Sequence, residues 1–210
     1  MMLYFASRAA MTSERRRKLD RSAPGCEQYR HVATKEAVML QQALFGISIA
    51  FGLVAWSIVT YQYLWPELRG QSRAKALRPL LILHSFRFIG LAFLVPGVVS
   101  PDLPSAFARP AGYGDLIAAV LALLALAGLQ SRLGITLVWL FNIWGSADLV
   151  YAFYQGNRSG LEPGQLGATY FIPTLIVPLL LITHALVFRL LLQSEGAAAG
   201  SESARAVGTR

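Results

Sequence analysis

Five apolar runs, each near the length that crosses a bilayer, constrain this chain more than any other feature. They cover about residues 38–64, 78–95, 115–129, 134–154 and 171–192. A helix rises ~1.5 Å per residue and a hydrocarbon core is ~30 Å thick, so about twenty apolar residues make one crossing. Of 210 residues, 55% are hydrophobic and only 14% charged, against about 25% charged in a soluble domain. The expected fold class is all-α: an integral membrane bundle of five transmembrane helices, with no separate soluble domain. Residues 1–37, which include the run Arg15-Arg16-Arg17-Lys18, and the low-complexity residues 194–210 are expected to be disordered tails.

Punctuation between the runs sets the connections. Tyr61, Tyr63 and Trp65 followed by Pro66 mark an interfacial belt and a helix stop. Pro96-Gly97 closes the second span, and residues 96–114 form a Pro- and Gly-rich loop. Asp115 then reads as the N-cap of a short third span rather than as a catalytic acid. A second irregular loop covers 155–170, and Pro173 and Pro178 are expected to kink the fifth span.

Polar residues inside the apolar runs are the candidates for function. His84 and Arg87 are three residues apart and share a helix face. An Arg at a span centre costs ~2.5–3.5 kcal/mol or more to insert, so it must face protein, water or a partner. Counting ~1.5 Å per residue from the Arg-rich side places Arg87, Asn142 and His184 in one layer, roughly 12–13 Å deep. His84 falls about one turn shallower and Asp148 about two turns deeper, both within reach of Arg87. The expected binding site is therefore His84, Arg87, Asn142, Asp148 and His184, with Arg87 supplying positive charge and Asp148 its counter-ion. The alternative for each is a helix-to-helix hydrogen bond with no further role.

Several chemistries are set aside. Cys26 is the only cysteine and lies in the tail, so neither a disulfide nor a Cys-based metal site is expected. Gly112 and Gly114 lack the strand and the following Lys-Ser/Thr of a phosphate loop, and Asp148 and Glu162 make no convincing carboxylate pair. With no HExxH and no nucleophile elbow, an enzyme is not expected. The net charge of +8 reads as membrane flanks rather than nucleic-acid binding. His31 lies in the tail. No cofactor is expected, although His84 and His184 leave a bis-histidine haem b open as an alternative.

Topology follows from the basic residues. Residues 66–78 hold four Lys/Arg, residues 130–133 hold Arg132, and Arg205 and Arg210 follow the last span, whereas the other two loops hold only Arg109 and Arg158. The positive-inside rule then gives N-out and C-in. Eight Lys/Arg in residues 1–37 oppose this, which is consistent with a leader or with a start near Met39.

The stretches Trp65-Pro66-Glu67-Leu68-Arg69, Leu77 to Gly90, Pro110 to Asp115 and Asn142 to Asp148 carry a resemblance. From about Gln41 to Leu192 the chain resembles a group of small, uncharacterised polytopic membrane proteins of bacteria. The resemblance implies an inner-membrane bundle and implies no activity. Three readings stand: a binding or transport-type protein for a small solute or protons; an accessory subunit whose small-residue faces on the first and third helices dock a membrane-protein partner or a second copy; and the haem carrier. The lipid bilayer is the expected surrounding in each.

Overall fold

The computed structural model describes residues 24–193. The expected disorder of 1–23 and 194–210 lies outside them. Every regular element among the described residues is helical, and five helices are long and apolar enough to cross a membrane. Helix α1 (Pro24–Val59) continues through a π-helical turn, Thr60–Leu64, into Trp65–Leu68. Helix α2 (Arg73–Ser85) runs directly into a 3₁₀ segment, Phe86–Leu94. Helices α3 (Ser105–Ala127) and α4 (Arg132–Arg158) follow. A 3₁₀ segment (Pro163–Tyr170) and a π turn (Ile172–Ile176) then lead into α5 (Val177–Leu192).

Several boundaries differ from the sequence expectation. The first helix does not stop at Pro66 but runs on to Leu68, because Pro66 falls in the first turn after the π turn, where a missing N–H is tolerated. Helix α2 begins at Arg73, five residues before the expected span. Residues 24–37 are helical rather than irregular, because α1 begins at Pro24. Helix α4 extends to Arg158, four residues into the expected loop. Helix α3 begins at Ser105, ten residues before Asp115. The stretch 105–114 has the composition of a loop, yet Phe107, Ala108, Ala111, Gly112 and Gly114 are buried once it is helical. Pro110 removes one backbone N–H and sets φ near the helical value, so packing outweighs its cost. Asp115 is thus a mid-helix residue, not a cap.

Apolar side chains gather in two cores at opposite ends of the bundle. One contains Leu77, Leu81, Ala122, Ala125, Phe141 and Val187. The other contains Phe93, Phe107, Leu149, Leu166, Ile172 and Leu180. The α3 stripe Ala118, Ala122 and Ala125, whose small side chains suit a helix shielded by its neighbours, is wholly buried inside the chain's own bundle. Large apolar residues such as Phe51, Val54, Phe86, Leu140 and Val150 point outward, as lipid-facing surfaces require.

From Leu44 onward α1 meets the start of the fifth helix through a close backbone approach. A Cβ on Gly52 would come 2.5 Å from the Thr174 carbonyl oxygen and 3.1 Å from Pro178 Cγ. Trp56 Nε1 donates to the Leu175 carbonyl at 3.0 Å. Pro178 has no N–H for the carbonyl four residues back, and the helix takes its π turn there.

Candidate functional site

Between the two apolar cores lies a layer of polar side chains centred on Arg87. Arg87 is 1% exposed and its side chain is fully enclosed, so each N–H needs a protein acceptor. Nε donates to Asp115 Oδ1 at 2.7 Å, and Nη2 donates to Asp148 Oδ2 at 2.8 Å. Nη1 donates to the Gly145 carbonyl at 3.2 Å and faces His184 Nε2 at 3.1 Å. Four of the five donors are thereby accounted for. They join α3, α4 and α5 to the 3₁₀ segment that carries Arg87.

The pattern assigns the histidine tautomers. Arg87 only donates, so His184 Nε2 is an acceptor and its proton sits on Nδ1. Nδ1–H then donates to Asn142 Oδ1 at 2.7 Å, and Asn142 Nδ2 donates to the His184 carbonyl at 3.2 Å. This reciprocal pair fixes both the imidazole and the amide. His84 lies beside it, with ring centroids 4.2 Å apart, and Phe141 covers both rings at 5.0 and 5.3 Å. Thr183 Oγ1 donates to the Leu179 carbonyl at 2.9 Å and accepts from His84 Nε2 at 3.0 Å. Among the buried side chains described, only His84 Nδ1 and Thr60 Oγ1 have no hydrogen-bond partner.

Three glycines make this layer sterically feasible. A Cβ on Gly90 would overlap the Asp115 carboxylate, and one on Gly114 would overlap that of Asp148. A Cβ on Gly145 would come 2.6 Å from His184 Cε1 and 2.7 Å from Arg87 Nη1. Each of the three middle spans therefore contributes one bare backbone surface against which a charged group rests.

All five expected residues fall in one network. Arg87, Asn142 and His184 do share a layer, and Asp148 is a partner of Arg87. The expected one-turn offset between His84 and His184 is absent, because side-chain reach and helix stagger bring the rings into contact. Asp115, Thr183 and the three glycines are additions. Two of the glycines had a signal in the spacing: Gly90 follows Arg87 by three and Gly145 precedes Asp148 by three, which puts each pair on one helix face. A bis-histidine haem does not fit these residues. Both nitrogens of His184 are engaged and its ring rests directly on His84, whereas axial ligands must approach an iron from opposite sides. Among the described residues no three His, Cys, Asp or Glu side chains form a group suited to a metal ion.

Residues 44–192 match the family described as "Domain of unknown function (DUF8737)". The chain belongs to that family. The DUF8737 segment contains every member of the polar network, from His84 to His184. No curated protein and no solved structure matches the chain.

Proposed function

We propose that this DUF8737 protein is a multi-pass protein of a bacterial inner membrane, of transport type, with a proton-binding site at Arg87, Asp115 and Asp148. The observation that carries this reading is the charge count: one guanidinium faces two carboxylates within hydrogen-bond distance. A structural staple needs one carboxylate; the second leaves one negative charge inside the bundle. An uncompensated intramembrane charge is expensive, so a proton accompanies the pair. The carboxylate side chains are 10% and 9% exposed while that of Arg87 is fully enclosed, so the acids and not the guanidinium reach the edge of the cluster.

The tight seat favours a proton over a larger solute. Where Gly90, Gly114 and Gly145 back the cluster there is no space for a methyl group, and a multi-atom solute needs more. For the accessory-subunit reading, the small residues of α3 are taken up within the chain's own bundle, while Gly46 and Ala50 on the first helix stay exposed. No catalytic role is assigned to these residues.

A hydrophobic carbodiimide tests the site. The carboxylic proton passes to a carbodiimide nitrogen, the carboxylate oxygen adds to the central carbon, and rearrangement leaves a stable N-acylurea. Labelling mapped by mass spectrometry to Asp115 or Asp148, and suppressed at high pH, is the expected result. A protonated-carboxyl stretch in the infrared, lost in the Asp115→Asn/Asp148→Asn double variant, is its companion. Absence of both signals at every pH would sink the reading.

Orientation is proposed from the same bundle. The ends of α2 and α5 that carry Arg73, Lys75, Arg78 and Arg189 face the cytoplasm, giving N-out and C-in. A cytoplasm-active reporter fused after residue 210 should be active; activity only for a periplasmic reporter would reverse the assignment.

A further inference from the structure

One end of the bundle has a second feature, separate from the carboxylate layer. From Leu44 onward, the described residues at the end formed by the α1–α2 turn, the α3–α4 turn and the close of α5 include Arg69, Arg73, Lys75, Arg78, Arg132 and Arg189. Glu67 is the only acid there, a net charge of +5. Counted over the same residues, from Leu44 onward, the opposite end holds Arg109 and Arg158 against Asp102 and Glu162, a net charge of zero. Two contacts draw the basic elements together: Arg73 donates to the Gln193 carbonyl, and the Arg189 guanidinium lies 3.9 Å from the centroid of the Trp65 ring. Arg69, Lys75, Arg78 and Arg132 are exposed.

The level of this surface identifies its partner. Tyr61 and Tyr63, both exposed, and Trp65 mark the depth at which a span leaves the hydrocarbon. The basic side chains begin one turn beyond Trp65, at the height of lipid headgroups. We infer that this end is a docking surface for anionic phospholipid headgroups, with Arg69, Lys75 and Arg78 making the phosphate contacts and Arg189, held on Trp65, completing the rim. Each basic residue near an anionic leaflet strengthens such binding about fivefold, and salt weakens it.

The full chain in a neutral detergent is titrated with phosphatidylglycerol, with phosphatidylcholine and with inorganic phosphate, following the midpoint of thermal unfolding. Phosphatidylglycerol alone should raise the midpoint, and less so at high salt. The variant Arg69→Gln/Lys75→Gln/Arg78→Gln should unfold normally without lipid, because these side chains are exposed. Its apparent affinity for phosphatidylglycerol should fall about a hundredfold, while Arg109→Gln at the other end should retain it. Equal effects of phosphatidylcholine, a matching effect of inorganic phosphate, or an unchanged affinity in the triple variant would each overturn the inference. None of these outcomes depends on the proton site, whose signals come from Asp115 and Asp148.

Discussion

Arg87→Met is expected to lose most of the folded protein, with a destabilisation of about 3–5 kcal/mol, the range for removing one partner of a buried ion pair. The substitution keeps much of the side-chain volume but leaves Asp115 and Asp148 facing the same site with no cation between them. It also strips the donor from His184 Nε2 and from the Gly145 carbonyl. Arg87→Lys should fall between the two, because one ammonium cannot span four acceptors on three helices. The triple variant Arg87→Met/Asp115→Leu/Asp148→Leu should recover much of the loss, since an apolar replacement of a whole buried ion group is often neutral or stabilising. The measurement is the thermal midpoint in mild detergent together with the monodisperse yield. An Arg87→Met protein as stable as the parent would show that the cluster contributes nothing to the fold.

The sequence made the helices legible because apolar runs of membrane length admit few other folds. His84 and Arg87 were legible because a charge in such a run is conspicuous and the spacing fixes a shared face. Asn142 and His184 followed from helical rise alone. Asp115 was not legible as a partner of Arg87, because Pro110, Gly112 and Gly114 precede it and have the local preference of a loop. Packing of Phe107, Ala108 and Ala111 overrides that preference and winds residues 105–114 into α3, which moves Asp115 from a helix start to a helix centre. The contact between His84 and His184 was missed for a related reason. Depth counted along straight axes ignores side-chain reach and the stagger between helices, and these bring the two rings to 4.2 Å. The glycines were visible as small residues, but which of them faces a lipid and which a carboxylate is a tertiary fact. Gly46 has nothing within 4 Å of an added Cβ, whereas Gly114 has the Asp148 carboxylate in that space.

That contrast supports the second large effect. Gly114→Ala is expected to destabilise the protein by about 1–3 kcal/mol, the usual cost of forcing volume into a packed interior. Gly46→Ala, in open space on α1, should change stability by less than about 1 kcal/mol, the scale of the helix-propensity difference alone. The loss at Gly114 has a specific cause, because the new methyl and the Asp148 carboxylate claim the same volume. One of them must move, and moving Asp148 breaks its 2.8 Å bond from Arg87 Nη2. The two residues should therefore couple. In the cycle of Gly114→Ala, Asp148→Ala and the double variant, the double should be less destabilised than the sum by about 0.5–3 kcal/mol. Chemical or thermal unfolding in one detergent measures all four proteins. Strict additivity would mean that α3 and α4 do not meet at Gly114 and Asp148, and the arrangement of Arg87 between two carboxylates would fall with it. Coupling of the expected sign would locate Asp148 against the α3 backbone, where the proton-binding site requires it.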